Sequence, residues 1–85
     1  MLIYTVMEHE FDVEDVVLAT SNREKALEKF KESNDNRSLQ VWEDEKRLID
    51  VLYFETEDVY RQRGDLKYYS EEEQILLNEI IQQLK

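Results

Sequence analysis

The chain predicts an α+β domain: a four-stranded, mainly antiparallel sheet with two helices packed on one face, in the order β-β-α-β-β-α. Three observations carry that prediction. Short runs rich in Ile, Val, Leu and Tyr recur at 2–7, 16–20, 39–42 and 48–55, where such side chains suit a pleated surface. Ser21 with Glu24, and Ser70 followed by Glu71 to Glu73, are helix-start signatures, because a serine and a glutamate three residues on can each satisfy an open backbone N–H of the first turn. After each start the apolar residues fall at helical rather than alternate spacing.

Taken in order, Leu2 to Met7 is a strand, and the acidic stretch 8–15 is either its extension or a loop. Val16 to Thr20 forms the second strand, antiparallel to the first. The first helix covers about 22–33, with Ala26, Leu27 and Phe30 turned inward and charges of both signs outside. Asn34, Asp35 and Asn36 end it, since these residues tolerate left-handed turns. Leu39 to Trp42 and Leu48 to Glu55 make a hairpin closed by residues 43–46. On its second strand Ile49, Val51 and Tyr53 point one way and Leu48, Leu52 and Phe54 the other, with Asp50 among them. A strand apolar on both sides is covered twice or feeds an interface. Thr56 to Gly64 reads as a short capped helix ended by the only glycine. In the last helix Ile75, Leu76, Leu77, Ile80, Ile81 and Leu84 cover more than one stripe; one face closes the core, and the surplus, drawn from Ile75, Leu76, Ile80, Ile81 and Leu84, suits a second copy of the chain or a partner.

Bulk properties narrow the function. At 85 residues there is room for one domain over 1–85 and one core, not for an enclosed active-site cavity. The lack of cysteine removes disulfides and thiolate metal sites and fits a reducing cytosol. No apolar run approaches the roughly 18 residues of a membrane span, and the uncharged start, Met1 to Met7, is not a secretory leader. Catalysis finds little support: one histidine, His9, and one glycine leave neither a phosphate-cradling loop nor an oxyanion-hole turn, so we expect no enzyme and no cofactor. Glu8, His9, Glu10, Asp12 and Glu14 include metal-ligating types, but alternate side chains on an extended chain diverge from a single ion, so no specific metal site is expected. The one basic island, Arg61, Arg63 and Lys67 near Tyr60, Tyr68 and Tyr69, is outweighed by 21 acids, so direct nucleic-acid binding is not expected.

The charge itself is the informative feature. The net value is −10, and residues 1–20 hold five acids (Glu8, Glu10, Asp12, Glu14, Asp15) without a single Lys or Arg. Four of these acids alternate, with His9, Phe11 and Val13 in the gaps, so an extended chain would line them up on one face about 6.6 Å apart. Two further groups, Glu43, Asp44 and Glu45 at the hairpin tip and Glu55, Glu57 and Asp58 after the following strand, are placed to converge with the first. In size, charge, lack of Cys and Pro, and these three clusters, the chain resembles the small acidic proteins of phages and other mobile elements, among them anti-CRISPR and anti-restriction proteins. That resemblance implies an inhibitor or decoy in the host cytoplasm. It would occupy the basic surface of a nucleic-acid-binding enzyme such as a CRISPR or restriction nuclease. The 11 basic residues depart from full-surface mimicry and favour a local patch, with Phe11 or Trp42 as apolar anchors. The alternative is a dimerisation module built on the last helix.

Overall fold

The structure, a computed structural model, describes residues 1–10, 13–32, 36–54, 59–62 and 66–84. The elements are β1 (Leu2–Glu10), β2 (Val13–Thr20), α1 (Arg23–Glu32), β3 (Asn36–Glu43), β4 (Lys46–Phe54), β5 (Val59–Gln62), a 3₁₀ turn (Leu66–Tyr68) and α2 (Glu71–Leu84). Every neighbouring pair of strands is antiparallel, in the order β2-β1-β3-β4-β5. The α+β architecture, with a β2-β1-β3-β4 sheet and two helices, is therefore present. β5 extends it.

That fifth strand replaces the helix expected over Thr56 to Gly64. Its described part, 59–62, pairs with β4 from Phe54↔Val59 to Val51↔Gln62. Tertiary packing overrides the local capping signal here: the Tyr60 ring lies 5.0 Å from Tyr53 and 5.6 Å from Phe30, a contact available only from a strand beside β4. Residues 55–58 and 63–65 lie outside the described residues.

The helix starts follow capping chemistry, with one shift. Ser70 Oγ accepts from Glu73 N, and Glu73 Oε2 accepts from Ser70 N, both at 3.2 Å, which is the reciprocal box expected. At α1 the cap is Asn22 rather than Ser21. Its Oδ1 accepts from Lys25 N at 3.1 Å, and its carbonyl accepts from Ala26 N at 3.1 Å.

Both helices cover the same side of the sheet. Tyr4, Val6, Leu39, Val41, Ile49 and Val51 meet Ala26, Leu27 and Phe30 from α1 and Leu77, Ile80 and Leu84 from α2 in one buried core. Two register shifts, between Val6 and Met7 and between Val41 and Trp42, bend the strands. They let consecutive residues, Val17 with Leu18 and Leu48 with Ile49, pack against this core. Leu48 thus leaves the side expected for it. The opposite side carries no helix among the described residues. Alternation and register assign to it Ile3, Thr5, Met7 and His9 of β1, Ser38, Gln40 and Trp42 of β3, Asp50, Leu52 and Phe54 of β4, and Val16 and Ala19 of β2. No helix among the described residues is long and apolar enough to cross a membrane.

Candidate functional site

The β1–β2 hairpin answers the question left at residues 8–15: the acidic stretch belongs to both strands, with Phe11 and Asp12 outside the described residues. The register of the two strands breaks the one-sided row. Glu8 pairs with Asp15 and Glu10 with Val13 on the helix side, whereas Glu14 pairs with His9 on the other. Two carboxylates directly opposite each other are unfavourable, so the Glu8–Asp15 pair is a local cost rather than a device of the fold. Glu8 has Arg37 as its β3 neighbour. That guanidinium is buried on the helix side, stacked 3.9 Å from the Tyr53 ring centre and 5.2 Å from that of Phe30.

The second acid group is at the far end of the sheet. Leu2 is the register partner of Glu43, and His9 that of Asn36. Seven residues of strand separate these pairs, about 23 Å. The hairpin acids at 8–15 and the tip acids at 43–45 therefore do not converge. Glu55, Glu57 and Asp58 fall outside the described residues.

The tip acids instead meet the start of α2. Glu43, Asp44, Glu45, Glu72 and Glu73 rim a cleft of about 740 Å³, with Leu2, Leu48 and Leu76 along it and Lys46 and Ser70 completing the wall. Asp44 takes a left-handed backbone, φ 56°, in the two-residue turn, which aspartate tolerates better than most residues. Glu73 is held three ways: by the Ser70 cap, by its place in the helix, and by Lys46 Nζ at 3.5 Å. Five carboxylates against one ammonium, over leucine side chains, suit a lysine or arginine whose aliphatic stem packs on the leucines while its head meets the acids. The contribution of Glu72 and Glu73 was missed from sequence, because the Leu2↔Glu43 register that frames this cleft is a long-range pairing.

A second arrangement was also invisible in the sequence. Glu14 Oε1 lies 3.4 Å from His9 Nδ1, and His9 Nε2 lies 2.9 Å from Ser38 Oγ, across three adjacent strands. With a doubly protonated ring Nε2 donates to Ser38 Oγ; with a neutral ring protonated at Nδ1, toward the carboxylate, Ser38 Oγ donates to Nε2. This is the order of an acid–base–nucleophile triad. The surroundings oppose catalysis. Ser38 is fully buried. Backbone N–H groups near it belong to strand ladders, which removes the usual source of oxyanion donors. The Glu14–His9–Ser38 contacts tie β2, β1 and β3 together as a polar brace. Beside it, Asp50 Oδ2 accepts from Gln40 Nε2 at 3.4 Å and sits 3.4 Å from Arg47 Nη1.

The remaining candidates are used in packing. Ile80 and Leu84 are core, Leu76 and Ile81 are half-buried against it, and of the five residues proposed for self-association only Ile75 is exposed. Of the aromatics beside the basic island, Tyr60 is committed to the Phe30–Tyr53 ring cluster and Tyr69 packs against the core. Lys67 Nζ covers the Tyr68 ring at 5.1 Å. Among the described residues no three His, Asp or Glu side chains converge as metal ligands.

Comparison of the chain with protein-family models, with curated proteins and with solved structures found no match.

Proposed function

We propose that this chain is a protein-binding module that captures a basic surface, and that it serves as an inhibitor or decoy of a nucleic-acid-handling enzyme. One observation carries the reading: the cleft at the β3–β4 turn, where carboxylates from the hairpin tip and from the first turn of α2 surround leucine side chains with Lys46 as the only base among the described residues that line it. A basic groove built for a phosphodiester backbone offers the complementary chemistry, and encounter is accelerated by the −10 field. The β1–β2 hairpin acids, about 23 Å away along the strands, offer a second contact to an extended partner. The anti-CRISPR and anti-restriction proteins that the chain resembles act in this way, in the cytoplasm of the host cell.

The test is capture from bacterial lysate at low salt, followed by release with duplex DNA. A nuclease or other nucleic-acid enzyme released by DNA supports the decoy. The Glu43→Lys, Asp44→Lys, Glu45→Lys triple variant should lose it, and Glu8→Lys with Glu10→Lys should weaken it. If DNA releases nothing, or if the partner stays bound to both variants, the reading is wrong.

A further inference from the structure

We propose that the side of the sheet opposite the helices is an interface with a second copy of this chain. The face holds Ile3, Met7, Trp42 and Leu52 at partial exposure and Phe54 and Val16 more openly, and none of these six belongs to the core or packs against it. A tryptophan on the outside of a sheet, ringed by aliphatic side chains, is the composition of an interface centre.

Charge selects the occupant. The chain carries −10, yet by register the charged positions described on this face are only two acids, Glu14, set against His9, and Asp50, set against Arg47, and two bases, Arg47 opposite Trp42 and Arg61 opposite Leu52. The tip acids line a cleft that includes α2, and Glu8, Glu10 and Asp15 belong to the helix side. Two copies packed face to face therefore keep most of their acids apart, whereas a basic partner finds little here to attract it. Self-association through any acidic surface would instead set like charges against each other.

Burial also fits. Ser38, Gln40 and Asp50 are already nearly inaccessible at the centre of the face and hold the hydrogen bonds and ion pair described above. A covering sheet would take little further water from them, so the usual penalty for burying polar groups is largely met within the monomer. Four strands about 4.8 Å apart and some 26 Å long give a footprint of roughly 500 Å². Two such faces reach the roughly 1,000 Å² at which specific interfaces begin. This is enough for a weak dimer with aligned sheets. The α2 surface does not compete, since Ile75 is its one exposed large apolar residue among those described.

Sedimentation velocity over a concentration series, at low and at high salt, tests the proposal. The wild type should dimerise, and more tightly at high salt, because screening relieves repulsion between two −10 chains. Trp42→Glu should weaken the dimer about thirtyfold or more, and Ile75→Glu should leave it unchanged. Trp42 is the only tryptophan, so wild-type emission should shift to the blue and resist acrylamide quenching as concentration rises, a readout that needs no variant. A wild-type monomer at millimolar protein, a tryptophan signal indifferent to concentration, or a dimer abolished by Ile75→Glu would each overturn it.

Discussion

The two sides of one sheet solve the same chain's problem by different means. On the helix side Val6, Leu39, Val41, Val51 and Ile49 meet Phe30, Leu77 and Ile80, and stability comes from apolar area removed from water. On the other side the central positions of β3 and β4 are Ser38, Gln40 and Asp50, buried almost as deeply but tied by hydrogen bonds and an ion pair. One side is closed by packing and the other by a polar brace flanked by half-exposed apolar residues. The difference teaches that burial alone does not identify a core: what the buried atoms touch does.

The largest expected effect breaks the comparison on the helix side. Phe30 is fully buried between α1, Tyr60 and the Arg37 guanidinium. Phe30→Ala should cost about 3–5 kcal/mol, enough to unfold much of a small domain. Leu52→Ala, an apolar truncation on the opposite side, should cost about 1 kcal/mol, because its side chain is partly solvated already. Urea denaturation of both variants measures the contrast. Equal losses would mean that the two faces are packed alike.

A second prediction sharpens the polar side. Asp50→Ala leaves the buried Gln40 amide without the acceptor at 3.4 Å and frees Arg47. The loss should be about 1–3 kcal/mol, most of it from the stranded amide rather than from the half-exposed arginine. The Asp50→Ala, Gln40→Leu double variant should recover part of it, read in the same urea titration. Recovery is the signature of an unsatisfied buried donor. Its absence would point to the ion pair instead.

Legibility in the sequence followed the range of each interaction. Alternation placed β1 to β4, the serine box at Ser70 placed α2, and the inward stripe Ala26, Leu27 and Phe30 was readable from spacing within α1. Local signals misled where longer-range contacts decided. β5 displaced the helix expected after Thr56 because Tyr60 stacks on residues from α1 and β4. The surplus apolar positions of α2 were consumed by the core: Leu77, Ile80 and Leu84 are buried in it and Leu76 and Ile81 pack against it, leaving Ile75 outside. For the candidate site the acids were legible individually, but not their grouping. That depended on whether Glu43 pairs near the start or the end of β1, a register set by side-chain packing across the sheet.

The hairpin tip offers a smaller effect of opposite sign. Asp44 occupies a left-handed position that glycine fills without steric cost. Asp44→Gly should therefore leave stability level or raise it by less than about 1 kcal/mol, while removing one carboxylate from the cleft. Affinity for a short oligo-arginine peptide, followed by calorimetry, should fall even as the urea midpoint holds or rises. A peptide affinity that stays constant would separate the turn from the binding surface.

The smallest effect lies where the sheet edge meets the segment leading into α2. Burial first, and then the nearby Asp50 carboxylate, hold the Tyr69 phenol above its ordinary value of 10.0, against a backbone hydrogen bond from Asp50 and the charge of Arg47. The folded chain thus keeps the Tyr69 proton at a pH where the unfolded chain has begun to lose it. Between those two values the native state binds more protons, so stability falls as pH rises. This contribution is whole below pH about 10 and fades above it. Tyr69→Phe cannot titrate, so its stability should decline less steeply than that of the wild type across the same alkaline range. Chemical denaturation at stepped pH, with the other four tyrosines common to both proteins, isolates the difference. Parallel curves would mean that Tyr69 ionises as freely in the folded chain as in the unfolded one, and that the edge of β4 beside Asp50 is open to water.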